Sequence, residues 1–118
     1  MAREDAIEMR AVMARWDALR ERWALDADEE AGLLGGAVLA GPIGEVASWR
    51  AASMEQRMRL LIDLGVALDA LLADGVKVCL WLRRPRDSMG GMSPIDAMSS
   101  SVEWIRSLRK AALDFIAY

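Results

Sequence analysis

With 118 residues, 54% of them hydrophobic in class and including 20 Ala and 15 Leu, the chain has room for one domain. That is enough apolar surface to offset chain entropy without disulfides or metals. It has no His, Asn or Thr and one thiol, Cys79, which removes histidine acid–base catalysis, catalytic triads, Cys/His zinc sites and a disulfide framework, so no enzyme activity, cofactor or metal is expected. The formal charge is −3, with 5 basic and 10 acidic side chains in residues 1–45 against 10 and 8 in 46–118, and this lacks the Lys/Arg surplus through which phosphate binders gain affinity.

The first segment, Met1-Ala-Arg-Glu-Asp, is too charged for a signal peptide, and no apolar run approaches the roughly 20 residues that span a bilayer. A cytoplasmic location with a reduced thiol is expected. Met9, Val12, Met13, Trp16, Leu19 and Trp23 recur at spacings of three and four, which predicts a helix over roughly residues 4–23 with one wet face. Asp26-Ala-Asp-Glu29 is an acidic capping box and opens a short helix carrying Ala31, Leu33 and Leu34, stopped by Gly35-Gly36. Residues 35–44, rich in glycine, read as an irregular connection into a short helix that ends near Arg50.

Ser53-Met-Glu-Gln56 reads as a second capping box, starting a helix through Leu61, Leu64, Leu68, Leu71 and Leu72 to about Ala73. Apolar on most of its circumference, this helix is expected at the centre of the domain or shared with a second subunit, and a homodimer is predicted from it. Asp74-Gly75 caps a further helix through Trp81 and Arg84, and Pro85 ends it. A polar loop containing Gly90-Gly91 leads to Ser93-Pro94-Ile95-Asp96, with serine as N-cap and proline at the first helical position. A last helix from about Val102 presents Ile105, Leu108, Ala112 and Ile116 and runs nearly to Tyr118. Nothing alternates as a strand, so the fold class is all-α, a compact bundle of about six to seven helices divided at 52/53.

Several residues carry two readings. Trp16, Trp23 and Trp49 fall on helical stripes and read as core, whereas Trp81 and Trp104 suit packing or a partner interface. Arg83, Arg84 and Arg86 are a solvated helix end complementing the dipole, a charged lip for an acidic partner, or a phosphate contact. Met89 and Met92 flank the glycine pair and suit an adaptable contact surface. Cys79 reads as a buried inert thiol, and Asp28, Glu29 and Glu30 as a solvated acidic helix start.

The run Trp81-Leu-Arg-Arg-Pro-Arg-Asp-Ser-Met-Gly-Gly-Met-Ser-Pro-Ile-Asp-Ala-Met98 resembles the C-terminal toxin-binding motif of the Xre/MbcA/ParS-type antitoxins of bacterial toxin–antitoxin pairs. The stretch from Arg22 through Gly35, followed by Trp49-Arg50, is similar to the helix-turn-helix half of the same family. This resemblance implies a helix-turn-helix-like half over 1–52 and a toxin-binding half over 53–118. It implies direct binding and active-site occlusion of a cognate toxin, often an NAD-degrading RES-domain protein. The partner-binding residues it points to are Arg83, Arg84, Arg86, Met89, Gly90, Gly91, Ser93, Pro94, Asp96, Trp104 and Tyr118. The alternative it carries is a DNA-binding autorepressor acting through Ser48 and Arg50. Between Gly35 and Trp49, however, lie 13 residues that are mostly Ala, Gly and Val, so base edges find few polar side chains and DNA binding by the chain alone is expected to be weak or absent.

Overall fold

A computed structural model describes residues 2–35 and 45–117, with side chains at 8, 10–35 and 52–115. These residues form six α-helices and no strand: α1 (Ala2–Arg22), α2 (Ala27–Leu33), α3 (Glu45–Leu72), α4 (Gly75–Arg83), α5 (Pro94–Ser100) and α6 (Val102–Ala117). The fold is therefore all-α. None of the described helices is long and apolar enough to cross a membrane.

α3 is the axis of the molecule. It packs most extensively on α6 and also on α1 and α4, while α2 closes over α5 and α5 joins α4 to α6. Leu61, Leu64, Ala67 and Leu68 of α3 form a single core with Val12, Trp16 and Leu19 of α1, Trp23 just beyond its end, Leu33 of α2, Val78 and Leu82 of α4, Met98 of α5 and Ile105 of α6. The two tryptophans on the α1 stripe are almost wholly covered, and truncation of such a side chain typically costs about 3–5 kcal/mol. Gly65 lets α1 cross closely, since a Cβ there would meet Leu19 Cδ1 at 2.5 Å.

The break expected between Arg50 and Ser53 does not exist. α3 is one helix of 28 residues, and Ser53 lies within it. Ala51 and Ala52 stand where the interruption was expected, and alanine has the highest helix propensity, so a serine with a glutamine three residues on is insufficient to restart the chain. The 52/53 division falls inside this rod. Its apolar circumference is covered largely by α1, α4 and α6 of the same chain, leaving Val66 at 67% and Leu71 among the exposed apolar residues of α3. The feature that suggested a second subunit is thus met internally.

The other boundaries follow local chemistry. α1 ends in a Schellman motif: Leu25 N–H donates to Arg20 O at 3.0 Å and Ala24 N–H to Glu21 O at 3.1 Å. Ala24 takes the left-handed position at φ +53°, where glycine is the usual residue. Asp26 caps α2 reciprocally with Glu29, as the acidic capping box predicts: Glu29 N–H donates to Asp26 Oδ1 at 2.7 Å and Asp26 N–H to Glu29 Oε1 at 3.1 Å. Arg57 of α3, its guanidinium pKa lowered from the ordinary value by burial, donates to Leu33 O at the end of α2. Asp74 caps α4, its Oδ1 accepting from Val76 N–H at 2.8 Å. Segment 36–44, expected to be an irregular connection, lies outside the described residues.

Replacing Ala24 with glycine relieves the left-handed strain of a Cβ-bearing residue. Ala24→Gly is expected to raise stability by about 0.5–1 kcal/mol in denaturant titration, at an unchanged slope.

Candidate functional site

The three arginines near the end of α4 do three different things. Arg83 turns inward. Its Nε and Nη2 grip the two carboxylate oxygens of Glu29, each at 3.1 Å, in a fork-to-fork pair. Nη2 also reaches the carbonyls of Trp23 at 2.8 Å and Ala24 at 3.1 Å, and Nη1 donates to Cys79 O at 3.2 Å. One guanidinium therefore joins the Schellman end of α1, the first turn of α2 and the last turn of α4. Arg84, the next residue, is exposed. Arg86 places its guanidinium carbon 5.2 Å from the centroid of the Trp81 ring, a cation–π arrangement.

Beyond Arg86 the chain closes on itself. Arg86 N–H donates to Met92 O at 3.1 Å and Gly91 N–H to Arg86 O at 2.9 Å, around a 3₁₀ turn at Asp87–Met89. Gly90 and Gly91 adopt φ of +66° and +84°, and a Cβ added at either would meet nothing within 4 Å. The glycine pair is required by backbone conformation and leaves the tip open to solvent. Met89 is buried beneath this tip, so the flexible contact thioether expected from the sequence is an anchor instead. Ser93 accepts from Asp96 N–H at 3.2 Å as the N-cap of α5, and Ser93, Pro94 and Ile95 are buried. The corner thus has a buried base and an exposed crown of Arg84, Pro85, Asp87, Ser88, Gly90 and Gly91, with the Asp96 side chain exposed beyond it.

Trp81 links this corner to an apolar groove. The groove, a cavity of about 210 Å³, lies between the C-terminal part of α3, α4 and α6, lined by Leu68, Leu71, Leu72, Trp81, Leu108, Ala111, Ala112 and Phe115. Phe115 stands 74% exposed at one rim. On the outer face of α4, Val76 and Leu80 are 67% and 65% exposed, one turn apart. α4 cannot bury them, because Val78 and Leu82 already occupy its core-facing stripe.

Of the residues singled out in the sequence, Arg84, Arg86, Gly90, Gly91 and Asp96 gather around this one end, and Trp104 is half-buried on α6. Arg83, Met89, Ser93 and Pro94 build the corner from inside. Ser48 and Arg50 belong to α3 with their side chains outside the described residues, and Tyr118 also lies outside them. Cys79 is half-buried and directs Sγ to Arg22 O at 3.4 Å. Val76, Leu80 and Phe115 are not among the residues the sequence points to, although a signal is present: Val76 to Leu82 is apolar nearly all round, and Phe115 stands off the predicted α6 stripe. Among the described residues no group of three or more His, Cys, Asp or Glu is placed to hold a metal ion. No family model matches the chain, and neither a curated protein nor a solved structure matches it.

The division between strut and surface is measurable by thermal and chemical denaturation. Arg83→Lys keeps the charge but loses the fork geometry, and is expected to cost about 1–2 kcal/mol. Arg84→Ala is expected to change stability by less than about 0.5 kcal/mol.

Proposed function

We propose that this protein is a non-catalytic, cytoplasmic antitoxin that neutralises a cognate toxin by direct binding and occlusion of the toxin's active site, the toxin being of the NAD-degrading RES-domain kind. The observation that carries the reading is the apolar groove lined by exposed Leu71 and Phe115 and half-buried Trp81, with Val76 and Leu80 exposed on the same helix as Trp81, which leads into the open crown of the corner. Exposed apolar side chains gathered at a groove mark interaction surfaces, and covering them yields about 25 cal/mol per Å² removed from water. The crown belongs to the same segment that resembles the antitoxin motif, and its glycine pair faces solvent with room for a partner backbone.

Occlusion asks for a rigid presenting surface rather than a reactive group. The corner meets that requirement through its backbone hydrogen bonds, the Met89 anchor and the capped start of α5. The acidic balance of residues 1–45 favours this reading over operator recognition, because phosphate contacts supply most of the affinity for DNA. Homodimerisation would draw on the same apolar surface.

The test is co-expression with the product of the adjacent reading frame. That product is expected to arrest growth alone, and to be rescued by and co-purify with this chain. The double variant Leu80→Asp, Phe115→Asp is expected to keep its fold and lose at least tenfold in affinity, on the order of 1.4 kcal/mol. Absence of both rescue and co-purification overturns the reading.

A further inference from the structure

Positive charge is distributed unevenly around the apolar groove. Lys77 on α4 and Arg84, the residue that caps its C-terminus, are seven residues apart, about one turn to either side of Trp81, and both are exposed. Arg86 adds a third cation at the same edge, over the Trp81 ring. Arg20, Arg22, Arg59, Arg83, Arg106 and Arg109 each have a carboxylate within 4 Å, whereas Lys77, Arg84 and Arg86 have none among the described residues. The acids nearest in sequence, Asp74 and Asp87, lie at the helix cap and on the 3₁₀ turn. On the α6 side Arg106 and Arg109 are paired with Glu103 and Asp63, while the exposed Lys110 has no carboxylate within 4 Å among the described residues and stands one turn from the exposed Asp114. Three unpaired cations therefore stand at the α4 edge of the groove against one on the α6 side.

From this we infer that the groove receives an amphipathic helix of a partner protein, with an apolar stripe in the groove and acidic residues along its α4 side. The inference deepens the partner-binding reading and rests on it. A helix is the fitting occupant for three reasons. Among the described residues there is no strand, hence no sheet edge for an extended peptide to join. Ala111 and Ala112 leave space for the close approach of a cylinder against α6. Leu71, Trp81 and Phe115 offer separated apolar contacts suited to anchors at i, i+3/i+4 and i+7. Acidic flanking residues answer Lys77 and Arg84 and fix which way round the helix lies, since the unpaired cations are concentrated at the α4 edge.

The test uses three fluorescent 18-residue helical peptides sharing one Leu/Ala stripe and flanked by Glu, Gln or Lys, titrated against the full chain by anisotropy. The Glu peptide is expected to bind at least tenfold more tightly than the Lys peptide at low salt, with the gap shrinking at 1 M salt. Lys77→Glu with Arg84→Glu is expected to abolish or reverse that preference, and Phe115→Ala to weaken all three at least fivefold. Equal binding of the three peptides overturns the inference. So does the absence of peptide binding, with or without Phe115-dependent self-association in sedimentation. The outcomes separate from those of the co-expression test. A peptide preference without growth rescue sinks only the antitoxin reading, and growth rescue indifferent to Lys77→Glu with Arg84→Glu sinks only this one.

Discussion

The fork between Arg83 and Glu29 is the constraint on which the functional end of the molecule depends. Glu29 already serves as half of the capping box of α2, and the same carboxylate receives Arg83 across 54 residues of sequence. Because the guanidinium also takes the exposed carbonyls at the end of α1, it satisfies acceptors that the Schellman turn leaves pointing outward. α4 is thereby held against the α1–α2 junction by its last turn. With that turn fixed, Arg84 and the crown of the corner can face only outward, and Trp81 is set between corner and groove.

This explains why adjacent arginines differ so completely in role. One turn of helix separates residues by 3.6 positions, so neighbours point about 100° apart. Arg83 faces the α1–α2 junction, and Arg84 and Lys77 face solvent beside the groove. The pair at Glu29 is partly buried, which makes its geometric fit more important than its charge alone. A lysine can supply the charge and not the fork of three donor nitrogens that reaches four residues.

Much of the fold was legible in the chain. The helical periods, the acidic capping box at Asp26, the aspartate cap at Asp74 and the Ser93-Pro94 start are local signals, and each depends on residues within one turn of itself. Ser53 misled because a capping box competes with the propensity of its neighbours, and Ala51-Ala52 carried the helix through. The site was only half legible. Arg83, Met89 and Pro94 have compositions that suit a surface or an interior equally, and a pairing across 54 residues leaves no trace in spacing. Phe115 and Leu80 were visible as apolar residues off the buried stripe, a sign that more apolar surface exists than one domain of this shape can cover.

The uninterrupted course of α3 has a consequence for how the molecule comes apart. One rod supplies the surface on which the N-terminal tryptophans rest and also the floor beneath Leu108 and Ala112, so neither end has a private foundation. Fraying admitted at one extremity is opposed by packing at the other, and the chain is built to melt as a single cooperative unit rather than in two stages.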